Sequence, residues 1–190
     1  AIHDALEKGS LLDGDTLKVL RKWQDEMIFS KQEMGVIVAS TLAAREDPAS
    51  WIDKAGKAGS GVGIQVLRNA AISGDAEDRQ RALETLAVVQ DKEMINPLLS
   101  LLERETVPEV KDRIIEAIAR TGKKGAMLAV LGILRGTGDE GRCLAAMERF
   151  IFLLGRTEAR ELLQDIRGRE ESGPVRARAE SLLSVFTETG

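Results

Sequence analysis

From residue 83 to residue 166 the chain brings back its apolar positions at a fixed interval of thirty-two residues, and no other feature restricts the fold as much. Leu83, Leu86, Leu98, Leu99 and Leu102 return as Ile115, Ile118, Val130, Leu131 and Leu134, and the last three return again as Leu162, Leu163 and Ile166. A second set comes back after thirty-three: Ile114, Ile118 and Gly122 become Met147, Ile151 and Gly155, so one turn differs by a residue. Within each block the apolar side chains stand three or four apart, which puts them on one stripe of a helix. An isolated pair of such helices leaves apolar surface in water, whereas stacked pairs cover one another. The spacing therefore predicts an all-α chain, a right-handed α-α superhelix of antiparallel helix pairs forming a repeat solenoid.

The composition agrees with helices and offers nothing for a sheet. Aromatic residues make up 3% and Tyr is absent, while Ala, Leu, Glu and Arg, all strong helix formers, dominate. Pro48, Pro97, Pro108 and Pro174 each fall near an expected helix start, where a missing N–H costs nothing. Clear repeats are expected over 75–104, 107–136 and 139–168, with a half repeat over 173–188. Ahead of them the pattern predicts helices over 15–29, capped by Asp15 and Thr16, and over 31–45, then a short helix opening at Pro48 after Asp47. A further helix over 61–73 is ended by Gly74 and Asp75. Residues 1–46 are read as an N-terminal helical segment, whether a divergent repeat, a terminal cap or the edge of another domain, and 47–190 as the repeat region. Gly56, Gly59, Gly61 and Gly63 mark the expected hinge or loop.

The stretch Asp75-Ala76-Glu77-Asp78-Arg79, followed by Ala82-Leu83 and by Asp91-Lys92-Glu93-Met94-Ile95-Asn96-Pro97-Leu98-Leu99, resembles a complete short bacterial HEAT repeat of the phycobilin-lyase-like type, within the armadillo-type helical superfold. Pro108-Glu109-Val110-Lys111 through Leu134 resembles a second. The block from Asp139 to Ile166 is a less regular third, and Gly173-Pro174-Val175-Arg176 through Phe186 resembles the first helix of a fourth. The resemblance covers about residues 75 to 188. It implies a HEAT-like scaffold whose second helices line a concave surface. Register then implies three ladders: Asn96, Leu128 and Arg160; Ser100, Gly132 and Gln164; Glu103, Arg135 and Arg167. Lys123 and Lys124 lie in the neighbouring turn.

Arginine suits such a surface because its planar fork donates paired hydrogen bonds to carboxylates and phosphates. The expected partner-binding residues are Asn96, Ser100, Lys123, Lys124, Arg135, Arg160, Gln164 and Arg167. The competing expectation for Arg135, Arg160 and Arg167 is that they are solvated side chains paired with Glu161, Asp165 or Glu103. The expected function is a non-catalytic scaffold for a protein partner. The alternatives are a nucleic-acid or phosphate ligand held by basic concave residues, or chromophore handling of the kind the bilin-lyase resemblance implies.

Catalysis is argued against by inventory. His3 is the one histidine and lies in an end expected to fray, so a nucleophile–base–acid triad lacks an oriented imidazole. Cys143, the one cysteine, sits at helical spacing from Met147 and is expected in the core; with a single thiol and a single imidazole no zinc site is expected, nor any cofactor. The glycine-rich run from Gly56 to Gly63 lacks the Gly-Lys-Ser/Thr closure of a phosphate loop. Asp13-Gly14-Asp15 lacks the later ligands of a calcium loop. The carboxylate pairs Glu46–Asp47 and Glu170–Glu171 read as solvated turns, and Trp23 and Trp51 both read as core.

Acidic side chains outnumber basic ones by 31 to 27, which argues against nucleic acid, although 107–136 carries Lys111, Arg113, Arg120, Lys123, Lys124 and Arg135 against three carboxylates. Apolar runs fall short of the roughly 18 residues of a membrane span, so no membrane insertion is expected. A lone cysteine fits a reducing compartment, and the expected location is the cytoplasm. The chain opens on Ala1 rather than Met, so further domains of a longer chain are expected.

Overall fold

The computed structural model describes residues 1–57, 61–169 and 173–188, and every regular element among them is helical. The chain divides into two compact units, Ala1–Val89 and Gln90–Gly190. The two helices expected within 75–104 therefore fall one in each.

The first unit contains α1 (Ile2–Lys8), α2 (Gly14–Lys22), α3 (Lys31–Ala43), α4 (Ala49–Lys57), α5 (Val62–Ser73) and α6 (Ala76–Val89). Its centre is α3, which is packed by all five of the others. That position explains its sequence: Met34, Ile37, Val38 and Leu42 are buried, and so are Ser40 and Thr41. A buried hydroxyl needs a partner. Ser40 donates to the Val36 carbonyl and Thr41 to that of Ile37, each at 2.7 Å, and Ser40 Oγ also accepts the Leu12 amide at 2.9 Å. Ser30 and Glu33 form a reciprocal capping box at the start of α3. Trp51 of α4 is 1% exposed and meets Phe29 edge to face, with centroids 5.9 Å apart.

Three expectations for this unit need correction. The N-terminal end is not frayed: α1 is a helix that packs on α3 and buries Ala5. The helix expected over 15–29 stops at Lys22, and its cap is Asp13, whose carboxylate accepts the Thr16 amide at 2.7 Å, not Asp15 and Thr16. The chain turns after Trp23 because the turn is tied from outside, by Lys54 donating to the Gln24 carbonyl, and because Phe29 must reach Trp51. Trp23 is not core: it is 45% exposed, with the Lys22 ammonium 5.4 Å from its ring centroid.

The second unit opens with a 3₁₀ turn (Lys92–Met94) and continues through α7 (Ile95–Arg104), α8 (Pro108–Arg120), α9 (Lys124–Gly136), α10 (Glu140–Leu153), α11 (Arg156–Arg169) and α12 (Pro174–Glu188). Each helix packs on the one before it and on the next but one: α7 on α9, α9 on α11, α8 on α10, and α10 on α12. The periodic residues supply the seams. Leu98, Val130 and Leu162 are buried, as are Leu131 with Leu163 and Leu102 with Leu134 and Ile166. Gly122, with φ of 68°, makes the tight corner between α8 and α9 that a side chain would strain. Ion pairs link alternate helices on the α8, α10, α12 side: Asp112 to Arg142 at 2.9 Å, Glu116 to Arg149 at 2.7 Å and Glu148 to Arg178 at 2.7 Å.

Candidate functional site

The outward side of α7, α9 and α11 is where the sequence places a partner surface. On these helices the apolar residues at repeat spacing are buried except Leu99, which is half-buried, and this turns the intervening polar positions outward. Asn96 and Ser100 on α7, Arg135 on α9, and Arg160, Gln164 and Arg167 on α11 are all exposed, as is Lys123 before α9. A shallow depression of about 440 Å³ lies on this side, lined by Glu103, Ala129, Gly132, Ile133, Gly136 and Thr137. Its floor is low because Ala129, Gly132 and Gly136, which line it, are small and exposed; Gly125 is exposed earlier on α9, and a Cβ built at any of the three glycines would meet nothing within 4 Å. The spacing of those small residues, four, three and four, is a signal legible in the sequence.

Lys124 is placed differently from the expectation. It is half-buried and its ammonium lies 3.1 Å from a Glu161 carboxylate oxygen and 3.2 Å from one of Asp165. Hydrogen bonds to Glu161 and Asp165 raise its pKa above the ordinary lysine value. A cation in the first turn of α9 opposes the helix dipole, and the two carboxylates of α11 offset that cost. Lys124 is thus a tie between α9 and α11, not an available contact.

The same geometry bears on the pairing expected for the arginines of α11. Glu161 and Asp165, expected as their neutralising partners, are taken by Lys124. Among the described residues Arg160 and Arg167 make no ion pair and no side-chain hydrogen bond. That statement does not extend to Arg135, which lines a separate recess of about 300 Å³ with Gly138, Glu140, Cys143, Gly173, Pro174 and Val175.

Elsewhere the residues singled out for chemistry have structural work. Cys143 is 1% exposed and donates to the Leu131 carbonyl at 3.8 Å. His3 faces Glu7 at 3.2 Å on the surface of α1. Asp13 caps α2, and the hydrogen bonds from Thr16 hold its pKa below the usual carboxylate value; Asp15 pairs with Lys18 at 3.0 Å. Glu46 pairs with Arg21 at 3.1 Å and Asp47 accepts the Ala49 amide at 2.9 Å. In the glycine-rich run, Gly56 and Lys57 close α4 and Gly61 precedes α5, while residues 58–60 lie outside the described residues, as do Glu170 and Glu171. Among the described residues no three of His, Cys, Asp and Glu are grouped so as to hold a metal ion, and no helix is long and apolar enough to cross a membrane.

The basic excess over 107–136 is partly cancelled inside the protein. Arg120 pairs with Glu116 at 2.6 Å and Lys124 with Glu161 and Asp165. No family model, curated protein or solved structure matches the chain.

Proposed function

We propose that the chain is a non-catalytic scaffold of the short HEAT-repeat kind, a right-handed superhelix of antiparallel helix pairs that binds a protein partner along the outward face of α7, α9 and α11. The observation that carries this reading is a partition at constant spacing. In the second unit Leu98, Val130 and Leu162, Leu131 and Leu163, and Leu102, Leu134 and Ile166 are buried at the repeat interval, while Arg135 and Arg167 at one interval, and Asn96 and Arg160, and Ser100 and Gln164, at two, are exposed; Leu128, between Asn96 and Arg160, is half-buried. Buried seams at a fixed interval are what stacked pairs need, and a continuous exposed face is what such stacks use for binding.

The nucleic-acid reading is weaker because Arg120 and Lys124 are neutralised internally, and phosphate binding draws on uncompensated cations. Replacing Arg135, Arg160 and Arg167 together by glutamate tests the scaffold. Capture of the protein partner from the native source should fall sharply while the melting curve stays close to that of the parent, since exposed substitutions change stability by less than about 0.5 kcal/mol each. Capture that survives the triple reversal unchanged moves the binding surface elsewhere.

A further inference from the structure

We infer that the segment received by the α7, α9, α11 face is acidic, and that Lys124 sets this preference without touching it; the inference rests on the scaffold reading above.

The outward half of α11 carries Arg160, Glu161, Asp165 and Arg167, two cations and two anions that would cancel if left to themselves. They are not left to themselves. Lys124 reaches across from α9 and occupies both carboxylates, at 3.1 and 3.2 Å. What remains on this part of α11 is a pair of exposed guanidiniums with no ion pair or side-chain hydrogen bond among the described residues. A guanidinium is matched best by a carboxylate, which it can grip through two parallel hydrogen bonds.

Spacing narrows the occupant further. Arg160 and Arg167 are seven residues apart on one helix, about 10 Å along its axis at 1.5 Å per residue. Carboxylates seven residues apart on a helix, or three apart on an extended strand at about 3.3 Å per residue, span the same distance. The exposed glycines of α9 leave room for that segment to lie close, but they recognise nothing themselves. Glu103 at the α7 edge of the depression repels a carboxylate, so the acidic residues belong over α11.

The experiment measures binding of the whole chain by fluorescence anisotropy at low salt. The probes are an alanine-rich helical peptide with two glutamates seven residues apart, the same peptide with glutamines, and a short DNA duplex. The glutamate peptide should bind, and Arg160→Glu with Arg167→Glu should weaken it by about tenfold or more. Lys124→Met should weaken it by about threefold to tenfold although it makes no contact, because it unmasks Glu161 and Asp165. Lys124→Arg should keep the affinity. Glu161→Gln with Asp165→Asn, added to Lys124→Met, should restore it, an outcome that a merely structural lysine does not produce.

Equal binding of the glutamine peptide, no binding of the glutamate peptide at low salt, or failure of the triple variant to recover would overturn the inference. Tighter binding of the duplex with the same arginine dependence would overturn it in favour of nucleic acid. If the native partner is lost on reversing the three arginines while the glutamate peptide does not bind, the acidic partner is wrong and the scaffold stands. If native capture ignores the reversal, the scaffold face itself is wrong.

Discussion

In residues 1–89 one helix, α3, receives α1, α2, α4, α5 and α6, whereas in residues 90–190 each helix packs on its predecessor and on the next but one, and none is central. The polar ties differ in the same way. The first unit uses single, unrelated ones, such as the Leu12 amide on Ser40, Lys54 on the Gln24 carbonyl, and Arg45 on Glu77 at 2.7 Å. The second unit reuses one device: Glu116 and Glu148, thirty-two residues apart, each reach an arginine on the next alternate helix. A hub concentrates stability in a few irreplaceable side chains, and a stack spreads it along equivalent seams. The side proposed to bind carries a polar tie of its own, from Lys124 of α9 to Glu161 and Asp165 of α11.

The contrast breaks most easily at Trp51. It is fully enclosed beside α3, and Trp51→Ala should cost roughly 3 to 5 kcal/mol, as truncation of a buried aromatic does. Both tryptophans lie in the first unit, so fluorescence reports that unit while far-UV circular dichroism reports the whole chain. For this variant read by circular dichroism, a loss under about 1 kcal/mol would show that the packing of α4 on α3 is not the keystone of the unit. Next comes Leu131→Ala on the central seam of the second unit, expected to cost about 2 to 5 kcal/mol. Lys123→Ala, at the exposed residue that precedes α9, should stay within about 0.5 kcal/mol. Equal and small losses at the two positions would mean that the repeat seam is wrongly phased.

The smallest effect sharpens the comparison by acid. Asp13 and Glu33 are held below the ordinary values of 3.8 and 4.5 by hydrogen bonds from Thr16 and Ser30 respectively, and both cap helices of the first unit. A depressed carboxyl pKa contributes stability that is present above the unfolded value and lost as pH falls through the folded one. Fluorescence-detected melts should therefore weaken as pH drops from 4.5 and then past 3.8, and Asp13→Asn with Glu33→Gln should reduce that dependence. An unchanged acid profile in the double variant would remove the caps from the account.

The repeating half was legible because its buried positions recur, so each helix of 107–168 could be placed from its neighbour. Of the rungs named from register, Leu128 is half-buried and the others are exposed. The ion pairs of Lys124 were not legible because its partners come from another helix, α11, and register says which residues align but not which long side chains reach across. The first unit was harder for a related reason. The early stop of α2 at Lys22 depends on Lys54 and on the Phe29–Trp51 contact, neither of which leaves a local trace. Trp23 was read as core by residue type, yet it belongs with Leu11, Val19, Met27 and Ile28 to a set of exposed large apolar side chains, Ile28 being 99% exposed.

Those residues give the first unit its own claim to a partner, and site-specific photo-crosslinking decides between the two regions. A photoreactive side chain at Gly132, on the open side of α9, and another at Ile28 would be compared in the presence of the native partner. The account predicts an adduct from position 132, lost when Arg135, Arg160 and Arg167 are reversed, and none from position 28. An adduct from position 28 alone would contradict it and transfer binding to the first unit.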